Sequence, residues 1–99
     1  MPVLEGLGKP PGCKLIRLRV HLDGDIIRSI RIRGDFFASP EEGFDKVEQQ
    51  LAGRSLSELA AVFDGLLQET GVAVFGISGK GVASVLSAVL AGTSPGEGI

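Results

Sequence analysis

Ninety-nine residues with a net charge of −2, 43% hydrophobic and 22% charged, fit one small globular domain and exclude a disordered or collagen-like chain. A chain of this length buries roughly 60 to 65% of the surface its unfolded form exposes, which leaves room for one core but not for a core and a deep reaction cleft, so it is not expected to be an enzyme by itself. The single cysteine, Cys13, excludes an internal disulfide, no run of about 18 apolar residues is available to span a membrane, and Met1–Pro11 lacks the apolar centre of a secretory signal, so a cytoplasmic protein is expected.

Charge is unevenly spread. Residues 1–39 hold seven Lys or Arg against four acids, and residues 40–99 hold three against eight. The basic front half implies either an anion-facing surface or a sheet whose charges pair with acidic helices.

The chain divides into a Pro- and Gly-rich stretch, 1–11, expected to be a flexible N-terminal segment, a single domain over 12–92, and a flexible tail over 93–99. Lys14 to Leu22 alternates strictly, with Ile16, Leu18, Val20 and Leu22 on one side and Arg17, Arg19 and His21 on the other, which predicts a half-buried strand. Asp23-Gly24-Asp25 supplies a turn, and Ile26 to Arg33 alternates again, so the two form a β-hairpin. Ile27 and Arg28 break the second pattern in opposite directions and predict a bulge.

Ser39-Pro40-Glu41-Glu42 combines a capping serine, a proline at the first helical position and a glutamate three residues after the cap. Phe44, Val47 and Leu51 then recur at helical spacing, with Gly53 placed to end the helix. Ser55-Leu56-Ser57-Glu58 repeats the capping pattern before a second stripe of Leu59, Val62, Phe63, Leu66 and Leu67 that Gly71 terminates. Val72 to Ile77 is a short apolar run whose periodicity does not separate a strand from a buried connector. From about Gly79, the spacing of Val82, Val85, Leu86, Val89 and Leu90 predicts a third helix closing on Gly92, and its uncharged Ala and Ser side implies cover on more than one side. The fold class is α+β: an antiparallel hairpin or small three-stranded sheet packed by about three helices.

The search for chemistry returns little. Gly76-Ile77-Ser78-Gly79-Lys80-Gly81 opens a helix but is no phosphate loop, because Val74 stands where the first glycine is required and Gly81 where a Ser or Thr must hold magnesium. His21 has no Cys, Asp or Glu at ligand spacing, so no metal site is expected. Cys13 and His21 lie about eight residues apart along one extended segment, too far to act as a nucleophile and base. Glu41, Glu42, Asp45 and Glu48 suit the positive end of the first helix dipole. No residue is assigned a catalytic, cofactor-binding or metal-binding role.

Arg17, Arg19, Arg31, Arg33 and His21 share one face of the hairpin. That face has no aromatic between its arginines and the chain has no Trp or Tyr, which argues against nucleic acid and for docking on acidic helices or an acidic partner. Gly34-Asp35-Phe36-Phe37 follows directly. Adjacent side chains of an extended chain point oppositely, so one ring is expected to face outward: Phe37 on the arginine side and Phe36 in the core if the alternation continues, or the reverse if Gly34 bends the chain. An exposed Phe beside an acid is an interface signature, and the equal alternative is that helices cover both rings.

Gly12-Cys13-Lys14-Leu15-Ile16-Arg17, the turn Asp23-Gly24, the run Arg28 to Phe37 with its Gly34-Asp35-Phe36-Phe37 step, Pro40-Glu41-Glu42 and Phe75-Gly76-Ile77-Ser78 together resemble the C-terminal domain of lipoate-protein ligases over about residues 12–91. The resemblance implies a partner. In that family a large catalytic domain uses ATP, Mg²⁺ and lipoate to form lipoyl-AMP, then passes the lipoyl group to a lysine of an acceptor domain, while the small domain carries no catalytic residue and in some organisms is a separate polypeptide needed for adenylation. A chain that starts at Met1 without the catalytic domain looks like that separate accessory subunit, binding no cofactor itself. Gly34, Asp35, Phe36, Phe37, Arg17, Arg19, Arg31 and Arg33 are then the candidate contact residues, with the Ala and Ser side of the third helix as a rival surface. The small domain also resembles iron-sulfur scaffold and sulfur-acceptor proteins, which would make Cys13 a sulfur carrier.

Overall fold

Alternation in the first two-thirds of the hairpin sequence is realised as a twisted antiparallel sheet in the computed structural model, which describes residues 3–91. Strand β2, Ile16–Asp23, buries Ile16, Leu18, Val20 and Leu22 and exposes Arg17 and Arg19, and β3, Ile26–Gly34, pairs with it in the register Arg17↔Arg33, Arg19↔Arg31 and His21↔Ser29. The register shifts between His21 and Leu22, because Leu22 pairs with Ile27 while His21 pairs with Ser29. Arg28 is therefore the extra residue of the expected bulge, which turns Ile27 fully into the core and leaves Arg28 and Ser29 exposed.

The stretch expected to be a flexible N-terminal segment is partly a strand instead. Residues Val3–Gly8 form β1, antiparallel to β2, giving a three-stranded sheet in the order β1-β2-β3. Gly6 lies on the core side of β1, where a Cβ would come within 2.1 Å of Val89 Cγ2, so a side chain there would push the third helix off the sheet. The tail over 93–99 and the closing Gly92 lie outside the described residues.

Three helices cover the other face of the sheet. Helix α1, Glu41–Leu51, lies on β3 and buries Phe44, Val47 and Leu51; α2, Leu59–Thr70, packs on α1 and buries Phe63 with its ring 6.1 Å from Phe44; α3, Gly79–Leu90, packs on α2 and on β1 and β2. The face of α3 buried by these contacts is Val82, Val85 and Leu86 with Gly79 and Gly81; its Ala and Ser side, expected to be covered, leaves Ser84 and Ser87 exposed and Ala83 and Ala88 half-buried. Gly71, at φ 70°, ends α2, and Val72 N–H closes the terminus on the Leu67 carbonyl at 3.1 Å.

Two of the predicted helix starts differ in detail. Ser39 does not cap α1, because its backbone belongs to β4, Phe37–Ser39, and Pro40 stands at the cap position without a side-chain bond. Ser55 does not cap α2 either: its hydroxyl meets that of Ser57 at 2.9 Å, and a single 3-10 turn, Leu56–Glu58, leads into the helix. The run left open between strand and connector contains β5, Ala73–Phe75, which pairs antiparallel with β4 in a two-stranded ribbon separate from the main sheet.

Candidate protein-interaction surface

The outer face of the main sheet is built by register. Residues directly opposite in adjacent strands point to the same side, so Val3, Glu5 and Leu7 of β1, Arg17, Arg19 and His21 of β2, and Ser29, Arg31 and Arg33 of β3 share the face away from the helices. Four arginines therefore stand as two directly opposed like-charge pairs, around a shallow depression of about 580 Å³ that Glu5 and Leu7 also line. The sequence placed these four together, and the structure brings them together.

Two of the four have acids beside them. Arg19 Nε lies 3.6 Å from Glu5, a pair mostly in solvent and therefore weak. Arg33 Nη1 donates at 2.8 Å to Glu48 on α1, whose same oxygen also accepts the Ile32 backbone N–H at 2.6 Å. Glu48 is the one buried charged residue in the described chain; it satisfies an N–H on the outer edge of β3 that would otherwise lack a strand partner, rather than merely complementing the dipole of its helix. Among the described residues Arg17 and Arg31 have no carboxylate within 4.0 Å.

Gly34 turns the chain out of the sheet. Its φ is 148°, and a Cβ would sit 2.0 Å from the Leu15 carbonyl oxygen, so the step needs glycine. Asp35 N–H then bonds that Leu15 carbonyl at 3.0 Å, Phe36 turns inward and, half-buried, packs at a tilt against Phe44 with ring centres 5.4 Å apart, and Phe37 points out. The outward ring does not continue the arginine strand. It stands in the ribbon opposite Phe75, with which it pairs directly, and the two are 65% and 66% exposed. The Lys14 ammonium lies 5.8 Å from the centre of the Phe75 ring. Sequence reading singled out Phe37 and missed Phe75 as a surface residue; the only signal was that Phe75 ends an apolar run before a glycine.

The remaining candidates do not form sites. The entry of α3 is filled by the chain's own groups, since Gly79 N–H donates to Asp64 Oδ1 at 2.8 Å and Gly81 N–H to Ser78 Oγ at 3.1 Å, so a carboxylate already occupies the place a phosphate would need. Cys13 is buried at 9% exposure with its sulfur 3.8 Å from Ser78 Oγ, and His21 is on the opposite side of the sheet from the core that holds this thiol. No cluster of three His, Cys, Asp or Glu with metal-binding geometry occurs among the described residues, and none of its helices is long and apolar enough to cross a membrane.

The chain is thus a small α+β domain that carries a basic sheet face and an exposed aromatic ribbon. No family model matches the chain. It is similar to "Lipoate-protein ligase A subunit 2" of Thermoplasma acidophilum, with 42% identity over 45 residues, which is 46% of this chain, and the match spans about half (48%) of that relative's length. Its fold matches a chain from the structure of an archaeal lipoylation system, described as a bi-partite lipoate protein ligase and its E2 lipoyl domain from Thermoplasma acidophilum, with a TM-score of 0.65, 29% identity, and coverage of 87% of this chain and 93% of that one. The likeness to lipoate-protein ligases is thus one of homology in sequence and of shared α+β fold, with the three-stranded sheet and three helices in common architecture.

Proposed function

We propose that the chain is the non-catalytic accessory subunit of a split lipoate-protein ligase. It docks on a separate catalytic subunit and enables that subunit to form lipoyl-AMP from lipoate and ATP, before the lipoyl group passes to a lysine of an acceptor domain. The observation that carries this reading is the fold match over nearly the whole of both chains to a chain from that archaeal lipoylation system, taken with the sequence likeness to a ligase subunit 2. A docked domain acts on such a reaction by stabilising the closed arrangement of the partner's substrate loops, so it needs a contact surface and no reactive groups of its own.

The contact surface in this proposal is the Gly34–Phe37 step with the neighbouring Arg17, Arg19, Arg31 and Arg33, extended by Phe75. Exposed aromatics and arginines are the residue types that carry most interface energy, and here they occur beside a turn that fixes their geometry. The sulfur-carrier alternative has less support, because the Cys13 thiol is buried against the start of α3. The test is to mix the chain with the catalytic subunit from the same source and measure lipoyl-AMP formation with and without it. A rate that rises with added chain and saturates at a fixed ratio supports the accessory role; equal rates overturn it.

A further inference from the structure

The outer sheet face carries a cost that the domain alone does not relieve. Arg17 faces Arg33 and Arg19 faces Arg31 across one strand pair, and like charges directly opposite each other destabilise a sheet. Glu5 and Glu48 offset part of this at Arg19 and Arg33, but Arg17 and Arg31 meet no acid among the described residues, in a chain whose net charge is −2. Four of the ten Lys and Arg therefore share one open face.

We infer that this face docks on an acidic surface of the catalytic subunit and steers the encounter, while the Phe37–Phe75 ribbon holds the complex once formed; the inference rests on the accessory-subunit reading. Three features select a protein surface over other anions. The face is a shallow, open depression and lacks a glycine-rich loop or a helix N-terminus that would enclose a free phosphate. It presents no aromatic on which a base would stack, since its other members are Val3, Glu5, Leu7, His21 and Ser29. Val3, 43% exposed, and Leu7 border the arginines with apolar surface, and arginines beside aliphatic side chains are what protein interfaces bury. Neighbouring strands hold the paired guanidinium stems about 5 Å apart, so a partner helix with acids at i and i+4 meets two arginines at once.

The experiment measures association and dissociation rates of the chain with the catalytic subunit, at low and at physiological salt, for the native sequence, for Arg17→Glu with Arg31→Glu, and for Phe37→Ala with Phe75→Ala. Arg17 and Arg31 are exposed and have no ion-pair or hydrogen-bond partner within the described fold, so their reversal leaves the domain folded, which circular dichroism checks. Charge reversal is expected to slow association by about tenfold at low salt and to flatten its salt dependence, with dissociation nearly unchanged. The Phe pair is expected to do the opposite. Association rates that ignore the charge reversal, while the complex still forms, overturn this inference alone; no complex with any form of the chain overturns the accessory reading as well. Tighter binding of the native chain to a short single-stranded RNA than to the catalytic subunit, lost on charge reversal, overturns it in favour of nucleic acid.

Discussion

Phe37 and Phe75 stand directly opposite each other across the β4–β5 ribbon, each with about two-thirds of its surface in water, while Phe36 next to them is half-buried and packs at a tilt against Phe44. The ribbon therefore displays two aromatic rings that contribute little to the stability of the domain. Replacing both by Ala is expected to leave the unfolding free energy within about 0.5 kcal/mol of the native protein's in a urea titration. Affinity for the catalytic subunit is expected to fall by about 2 kcal/mol, roughly thirtyfold, as measured by isothermal titration calorimetry. Adding Asp35→Ala, on the exposed turn beside the ribbon, should weaken the complex further without unfolding the domain.

Gly34 links the two halves of this surface. A Cβ at that position meets the Leu15 carbonyl, a backbone atom that moves only if the end of β2 moves, and φ 148° is strained for any other residue. Gly34→Ala should destabilise the domain by about 2 kcal/mol or more in a urea titration. Because the ribbon is re-aimed as well, binding to the catalytic subunit should weaken by more than the loss of folded protein explains.

Much of this arrangement was legible in the sequence, and the parts that were not share a physical cause. The hairpin shows itself through strict alternation from Ile16 to Leu22, and its bulge through Ile27 and Arg28, which break the period where the structure inserts Arg28. The four arginines follow from the same alternation. Strand β1 does not announce itself, because Gly6 and Gly8 have low strand propensity; its conformation is set by pairing with β2 and by the close approach of α3 at Gly6. Ser39 and Ser55 carry cap patterns that tertiary pairing overrides, since Ser39 is held in register with Ala73 and Ser55 bridges to Ile26. Phe75 is exposed only because its strand pairs with one far away in sequence, and no local pattern encodes that.

Glu48 separates a hydrogen-bond role from a charge role. Its carboxylate accepts both the Ile32 N–H and the Arg33 guanidinium, and Arg33 is about half exposed while Glu48 is buried. Glu48→Ala leaves the Ile32 N–H without its acceptor and should cost about 1 to 3 kcal/mol in urea unfolding. Glu48→Gln keeps an acceptor for that N–H and loses only a half-solvated ion pair, so its cost should stay below about 1 kcal/mol. Equal losses for the two variants would show that the ion pair, and not the strand-edge hydrogen bond, dominates.

The N-terminal strand gives a sharper test, because the sequence alone reads it as part of a flexible segment. Removing residues 1–8 would strip β1 from the edge of β2 and uncover the side of α3 around Val85 and Val89 that packs at Gly6. Leu4, partly buried against the core, is lost with it. The truncated chain is expected to lose at least about 2 kcal/mol of stability and to self-associate through the freed edge, seen as a lowered thermal midpoint and earlier elution on size exclusion. An unchanged melting curve would mean that the strand is not part of the folded domain.

Cys13 closes the comparison between an accessory subunit and a sulfur carrier. Its thiol is buried beside Ser78 at the start of α3, and a Cβ on Gly81 would lie 2.6 Å from its sulfur, so the helix is seated directly on it. A carrier thiol must be reached by its donor and its acceptor, and a buried one is slow to react. Ellman's reagent should therefore modify Cys13 slowly in the native chain and rapidly in urea. Cys13→Ala exchanges a small buried hydrophobe for a smaller one and should cost about 1 kcal/mol through the space it leaves. Lipoyl-AMP formation by the reconstituted pair should be unaffected at temperatures where the variant is folded. Rapid native labelling, together with loss of activity in the alanine variant, would move the function to the thiol and away from the sheet face and the ribbon.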